Sequence, residues 1–405
     1  MEHAVSYFSI REVQLEGGER LPILVEGAAL GLPVQGVLQY TLTRLRARGL
    51  RRNSIRQRLD ALGVVLCFLS ARHIDIVART VSQTFLPLEE LVALADTCRA
   101  PKQAQSSKVI VSPALAAVRY ATAVDYIVWT AEPVIGRIST PATRESANSA
   151  LQRFLRRART VAPRVRGNAS HIDGERHGLL DMQRELFLRV ICPGDPGNPF
   201  SVGMQVRNHA LLLLAFKLGA RSGEIRGLKK ADLNLDSSPA ELFVVPRYND
   251  ADDRRLEPAA AKTNGRMLYV DTELANALDR WLKDRSVRSK WPRANRNPYV
   301  FVNRFGDAME GRGYRKVIET LRAHHLALDT LCHHVLRHDW NDRWVSMMED
   351  DAIEFEKAQQ EQRYAMGWSN RSKMPQWYGK QSIAKAANQR ILRLQGKAQN
   401  GNGSR

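Results

Sequence analysis

The run Ala210-Leu211-Leu212-Leu213-Leu214-Ala215-Phe216 constrains this chain more than any other stretch. Residues 206–218 carry apolar side chains on all sides of a helix, and a helix without a polar face belongs inside a domain, surrounded by other elements. Its end is equally marked. Lys217-Leu218-Gly219-Ala220-Arg221-Ser222-Gly223-Glu224-Ile225 sets a glycine, an arginine and an acid just beyond the apolar stretch. The flanking sequence reads as the layer that covers it. A helix opens near Leu179 with Leu186, Phe187 and Val190 and is closed by the Pro- and Gly-rich residues 192–199. Residues 242–246 and 267–270 are rich in strand formers, and Asn264-Gly265 favours a tight turn before the second of them. Residues 272–284 place Leu274, Leu278, Trp281 and Leu282 on one side. Residues 299–302, 313–323, 336–347 and 351–364 continue a mainly helical domain.

The charge balance names the class of partner. The chain has 61 Lys and Arg against 42 Asp and Glu, a formal charge of +19, which points to a polyanion. Nucleic acid is favoured over a membrane, because no apolar run approaches the roughly 20 residues of a spanning helix. Residues 1–5 lack the basic start and apolar core of a signal peptide, and the expected location is cytoplasmic. Cys67, Cys98, Cys192 and Cys332 are scattered, with no Cys-x-x-Cys pair, so reduced thiols and no zinc site are expected.

Upstream, residues 1–33 are mixed, with short strands or an extended arm at 6–11 and 21–25. A helix is expected over 34–48, stopped by Gly49, and a second one capped by Asn53 or Ser54. The second buries Ile55, Leu59, Leu62, Val65, Leu66 and Leu69 and leaves Arg51, Arg52, Arg56 and Arg58 on the opposite side. A solvated face is the plain reading of those arginines, and contact with a DNA backbone is the preferred one. Residues 87–99 read as a third helix. Ser112-Pro113 opens a fourth, since proline suits the first helical position. Residues 137–176 are richer still in arginine, including Arg156, Arg157 and Arg159 on a basic helix over 147–159, before a Gly- and Pro-containing connector. The expected organisation is a helical DNA-clamping domain over 1–132, a basic linker over 133–178, a second domain over 179–398 and a short tail over 399–405.

About a hundred residues after Arg221 comes His334-Val335-Leu336-Arg337-His338, then Met366-Gly367-Trp368-Ser369 and Gln376-Trp377-Tyr378-Gly379. His334 and Arg337, three apart on a helix, lie on one face, which favours His334 over His333. This ordered set resembles the tyrosine recombinase (phage integrase) family of DNA strand-exchange enzymes. The resemblance implies a mainly α fold with a small β-sheet (α+β), an N-terminal helical bundle and an integrase-like catalytic domain. It also implies cutting and rejoining of DNA strands through a 3′-phosphotyrosyl intermediate, without metal, ATP or other cofactor. Double-stranded DNA is the partner it implies, bound by a homo-oligomer up to a tetrameric synapse, with helper proteins in some cases.

By that resemblance the catalytic set is Arg221, Lys262, His334, Arg337, Trp368 and Tyr378, with Glu224 orienting Arg221. The chemistry is coherent. A tyrosine phenol has a reference pKa of about 10, so its use at neutral pH costs roughly 4 kcal/mol unless a base or positive field assists. Guanidinium pairs offset the charge that gathers on a transferring phosphate. Each residue has a plainer role open to it: Arg221 as a helix C-terminal cation, Arg337 and His338 on a solvated face, His334 in a core, Lys262 in an ordinary loop, Trp368 and Tyr378 as packing aromatics. Tryptophan stands at 368 where the family usually has histidine, and an indole donates one hydrogen bond but cannot shuttle a proton. The interval from Arg337 to Trp368 is longer than is common, with acids at 349–351, and the step to Tyr378 is one residue longer. The helix expected over 383–394 could pack on its own protomer or a neighbour. The alternatives are a non-catalytic accessory DNA-binding protein and a type IB-like topoisomerase. A histidine-based metal nuclease has no carboxylates at supporting spacing.

Overall fold

A computed structural model describes residues 7–27, 31–101, 110–164, 178–259, 263–283, 288, 291, 293–351 and 354–376. The chain divides into two compact units, Met1–Ile172 and Asp173–Arg405, both mainly helical and each with a small antiparallel sheet. None of the helices among the described residues is long and apolar enough to cross a membrane.

The first unit begins with a hairpin, β1 (Phe8–Gln14) and β2 (Arg20–Glu26), extended by the short β3 (Leu32–Pro33). Leu21 and Leu24 of β2 are buried with Val37, Tyr40, Ile55, Leu59 and Leu62, so the hairpin is part of the core and no detached arm. Helix α1 (Gln35–Tyr40) runs into a π-helical turn, Thr41–Arg46, and stops before Gly49, whose φ is +72°. Helix α2 (Arg52–Ala71) starts earlier than the expected cap: Arg51 is its N-cap residue and makes no side-chain capping bond. The short α3 (Ile76–Val81), capped by Asp75, was not evident in the sequence. Helices α4 (Leu88–Arg99) and α5 (Pro113–Gly136) follow, with the Ser112 hydroxyl accepting from Leu115 N at 3.3 Å. Helix α6 (Pro141–Val161) buries Ala147, Ala150, Leu151, Phe154 and Ala158 in the same core as α4 and α5. The first half of the stretch expected as linker is therefore a packed helix of the first unit, because small and apolar residues recur on one side of its arginines.

In the second unit, α7 (Asp181–Val190) leads to α8 (Val202–Leu218), the helix on which the core is built. Ala210 to Phe216 of α8 are all buried, as its all-round apolar surface requires. Beyond α9 (Ser222–Gly227) lies the sheet β4 (Leu233–Asn234), β5 (Ala240–Val244) and β6 (Arg266–Val270), with Ala240 opposite Val270 and Val244 opposite Arg266. The expected tight turn at Asn264-Gly265 is not what joins these strands. A long segment intervenes, and Asn264 N instead donates to Gly367 O at 3.0 Å. Helices α10 (Thr272–Lys283), α11 (Gly311–His324), α12 (His333–Asp350) and α13 (Phe355–Met366) follow among the described residues. The long interval between Arg337 and Trp368 is accounted for largely by the rest of α12 and the whole of α13.

Gly219 ends α8 with φ +55°, and a Cβ there would lie 2.8 Å from Trp340 Cγ. Gly219→Ala combines a left-handed alanine with a clash against a fixed indole. It is expected to destabilise the protein by about 2–4 kcal/mol, read as a lower urea midpoint at unchanged slope.

Candidate active site

A helix leaves its last carbonyls without intrahelical partners. At the end of α8, one stripe of α12 supplies the missing donors. Arg343 Nη2 donates to Phe216 O at 2.7 Å, Trp340 Nε1 to Lys217 O at 2.9 Å and Arg337 Nη1 to Gly219 O at 2.5 Å. The donors stand three residues apart, which is why they share a face. The left-handed Gly219 then turns the chain, so that Arg221 arrives as the N-cap residue of α9.

A second helix end gathers the arginines. Met366 O, at the close of α13, accepts from Arg221 Nη1 at 3.3 Å and stands 3.5 Å from Arg337 Nη2. Two guanidiniums are thus held at one carbonyl terminus, where the helix dipole favours cations. The Arg221 side chain is about a third exposed and Arg337 is buried. The Arg337 guanidinium also lies over the Trp368 ring, 5.7 Å from its centroid. Trp368 packs with Met366, Trp340 and Val345, and its indole nitrogen is shielded from solvent, which favours packing beneath Arg337 over a bond to an incoming group.

His334 and His333 part company at the start of α12. His334 is exposed. His333 Nδ1 lies 2.7 Å from the Tyr314 hydroxyl, and its ring stands edge to face with that of His334, 5.9 Å between centroids. Burial first, then the charges of His334 and Arg337, push the His333 imidazole down to about 3, so it is neutral at physiological pH.

Two buried carboxylate–arginine pairs brace this centre. Glu224 accepts from Arg266 Nη2 at 3.0 Å, from the Thr263 hydroxyl and from Arg221 N at 2.9 Å. Its distance to the Arg221 guanidinium is 3.7 Å, so Arg266 is its principal partner, and Arg221 is oriented chiefly through its backbone. Burial raises the Glu224 carboxyl, but Arg266, Thr263 and the Arg221 amide outweigh burial and hold the group below the usual carboxylate range. On the other side, Asp253 pairs with Arg255 at 2.7 Å and accepts from Ala259 N at 3.2 Å. Arg255 donates to Arg226 O at 2.7 Å and lies over the Tyr299 ring, 4.5 Å from its centroid. The described residues on either side of the segment 260–262, Ala259 and Thr263, are therefore each tied to a buried acid.

Of the residues singled out in the sequence, Arg221, Glu224, Arg337 and Trp368 are brought together, and His334 lies exposed one turn before Arg337 on α12. Lys262 and Tyr378 lie outside the described residues, as do residues 383–394. Tyr364, the described tyrosine nearest before Tyr378, donates its hydroxyl to Met267 O at 3.0 Å. The second-unit residues that sequence reasoning missed are Arg266, Thr263, Asp253, Arg255, Tyr314 and His333. A lone Arg in a strand or a Thr in a loop carries no signal until its buried partner is known.

In the first unit the expected DNA-contacting arginines divide. Arg52 Nε donates to Glu12 at 3.0 Å and Arg56 Nη1 to the same carboxylate at 3.2 Å. Arg58 reaches the Thr122 hydroxyl at 3.3 Å, and Arg51 is exposed. Arg156, Arg157 and Arg159 on α6 are exposed, and their side chains make no hydrogen bond or ion pair among the described residues.

Residues 200–383 match the phage integrase family. The tyrosine recombinase XerD of Oceanobacillus iheyensis is 26% identical over 137 residues, 34% of this chain and 40% of that protein. The aligned part thus spans less than half of the relative's length. Among solved structures, the Tn1549 transposon integrase in complex with transposon right-end DNA aligns with a TM-score of 0.46 at 15% identity, covering 86% of this chain and 99% of the other. The XerH site-specific recombinase bound to its difH substrate aligns with a TM-score of 0.40 at 17% identity, covering 83% and 88%.

Removing one member of a buried pair leaves the other uncompensated. Glu224→Ala is expected to cost about 3–5 kcal/mol, and Glu224→Ala with Arg266→Met to recover most of that, measured by urea unfolding. The lowered Glu224 pKa also fixes a sign. Its contribution is fully present above the unfolded value near pH ~4.3 and is lost as acid carries the pH through the lower folded value. Glu224→Gln should flatten stability against pH in that acidic window and leave the neutral slope alone.

Proposed function

We propose that this chain, which carries a phage integrase family domain over residues 200–383, is a site-specific DNA recombinase that cuts and rejoins strands through a 3′-phosphotyrosyl intermediate. The observation that carries the reading is the meeting of Arg221 and Arg337 at the Met366 carbonyl, in a chain of net charge +19. Two guanidiniums held rigidly together suit the non-bridging oxygens of one phosphodiester, whose charge grows in the transition state.

In this reading the Tyr378 phenol attacks the phosphorus and the bond to the 5′ oxygen breaks. Lys262 gives the leaving oxygen its proton. His334, exposed on the face it shares with Arg337, bonds to the phosphate or takes the phenolic proton. The phosphodiester energy stays in the tyrosyl linkage, so no ATP is consumed. The 5′ hydroxyl of the partner strand then attacks that linkage, loses its proton and restores the phenol. Trp368 supports Arg337 by packing and takes no part in proton transfer. Glu224 and Arg266 hold the start of α9 and the strand that follows Lys262 and Thr263 in the chain.

Strand exchange between two duplexes involves four strands, each needing its own tyrosine, and a tetrameric synapse follows from that stoichiometry. The arginines of α6, Arg156, Arg157 and Arg159, exposed and without a hydrogen bond or ion pair from their side chains among the described residues, are the first unit's foremost candidates for backbone contact, ahead of Arg51, Arg52, Arg56 and Arg58, which are engaged within the protein. Such contacts give affinity without sequence choice and make binding fall with salt.

Two expected outcomes test the chemistry. Tyr378→Phe removes one oxygen, so DNA binding and folding should persist while cleavage disappears. A nicked suicide substrate should trap the wild type but not this variant, with the adduct mapping to Tyr378. An adduct on Tyr364, or one surviving in the Phe variant, would place the nucleophile elsewhere, and no adduct at all on the proper site would favour an accessory DNA-binding role. Lys262→Ala should slow cleavage by about 10²-fold or more with little change in affinity. A 5′-bridging sulfur, which leaves without a proton, should restore its rate, and failure of that rescue would make Lys262 a binding residue only.

A further inference from the structure

The first unit holds an arginine run that its own hairpin has partly claimed. Between residues 44 and 58 stand Arg44, Arg46, Arg48, Arg51, Arg52, Arg56 and Arg58. Two glutamates of the N-terminal hairpin meet three of them. Glu12 on β1 takes Arg52 and Arg56, the latter at 3.2 Å. Glu19, in the turn before β2, takes Arg46 in a two-bond fork of 2.8 and 2.7 Å. The Glu19–Arg46 pair and the Arg56 side of the Glu12 cluster are open to solvent, with the Arg46 and Arg56 side chains 46% and 47% exposed and Glu19 30%, while Arg52 and Glu12 are half-buried at 18% and 20%. Arg46 holds the Glu19 carboxyl below the usual range.

We infer that Glu12 and Glu19 act as built-in competitors for DNA phosphate, holding Arg46, Arg52 and Arg56 in place in the free protein and yielding them to the backbone on binding. The inference rests on the DNA-binding reading above and adds a regulation of that surface. Its physical basis is a difference in strength. A solvent-exposed carboxylate–arginine pair contributes roughly 0–1 kcal/mol. A duplex phosphate brings the release of condensed counterions as well, so it outcompetes a single glutamate at low salt and loses that advantage as salt rises. The hairpin itself need not leave, because Leu21 and Leu24 anchor β2 in the core and only two side chains must swing. The consequence is a muted salt response: each arginine that exchanges a glutamate for a phosphate adds less to affinity than one whose side chain has no partner among the described residues, such as Arg156.

The test is a double-mutant cycle on the full chain with a mixed-sequence 30-base-pair duplex, read by fluorescence anisotropy across a salt series. Glu12→Gln with Glu19→Gln should tighten binding at low salt and steepen log K against log salt by about one to two units. That corresponds to about a threefold larger loss of affinity per added phosphate contact over a fourfold rise in salt. In an Arg46→Ala, Arg52→Ala, Arg56→Ala background the same two changes should give no gain. A gain that persists in that background is a general charge effect and overturns the inference, as does an unchanged slope in the double Gln variant. A fall of many degrees in melting temperature for the Gln variant also overturns it, because the pairs would then be structural. Wild-type protein with no salt-dependent affinity would overturn the DNA-binding reading itself.

Discussion

The C-terminal end of α8 is the point on which the second unit depends. An apolar helix buried on all sides cannot hand its last carbonyls to water, so another element must bring donors to it. Arg337, Trp340 and Arg343 do this from one face of α12. The same contacts that finish the core therefore fix Arg337 beside the turn that carries Arg221. Structural satisfaction and the placement of two site cations are one event, which is why the site sits where the core helix ends.

The carbonyl end of α13 extends the arrangement. Met366 O receives both arginines, and the left-handed Gly367 that follows lets Arg266 and Thr263 approach closely, since a Cβ there would stand 2.5 Å from Arg266 Nη1. Asn341 donates to Arg337 O at 2.7 Å and accepts from Gln362 at 3.0 Å, joining α12 to α13 behind the site. Buried charge is costly unless paired and hydrogen-bonded. Here the buried acids Glu224 and Asp253 each have their own arginine and further donors, so the cost is met locally and the surroundings of the site are stiff.

Charge in the first unit is handled differently. Apart from the buried Arg119, its described arginines reach the surface, and a surface pair holds its partner only loosely. Arg46, Arg52 and Arg56 face glutamates of the hairpin, whereas the α6 arginines face none among the described residues. Arginines on different elements of the same unit thus differ in readiness for a polyanion.

The sequence by itself determined the helical character of both units, the buried α8, the start of α5 set by Ser112-Pro113, and the set Arg221, Glu224, His334, Arg337 and Trp368 as one ordered series. Period and capping are local properties, and His334 with Arg337 needs only the pitch of a helix to share a face. What tertiary structure decided was every partnership across distance. That Glu224 answers first to Arg266, that His333 is held neutral against Tyr314, that Trp368 packs beneath Arg337 and that Arg52 belongs to Glu12 all depend on elements meeting in space. Helix α6 shows the same limit from the other side. A basic helix is expected over 147–159 but within a linker, whereas the alanines, leucine and phenylalanine between its arginines bury against α4 and α5, and burial depends on what lies opposite, which no single stretch of chain contains.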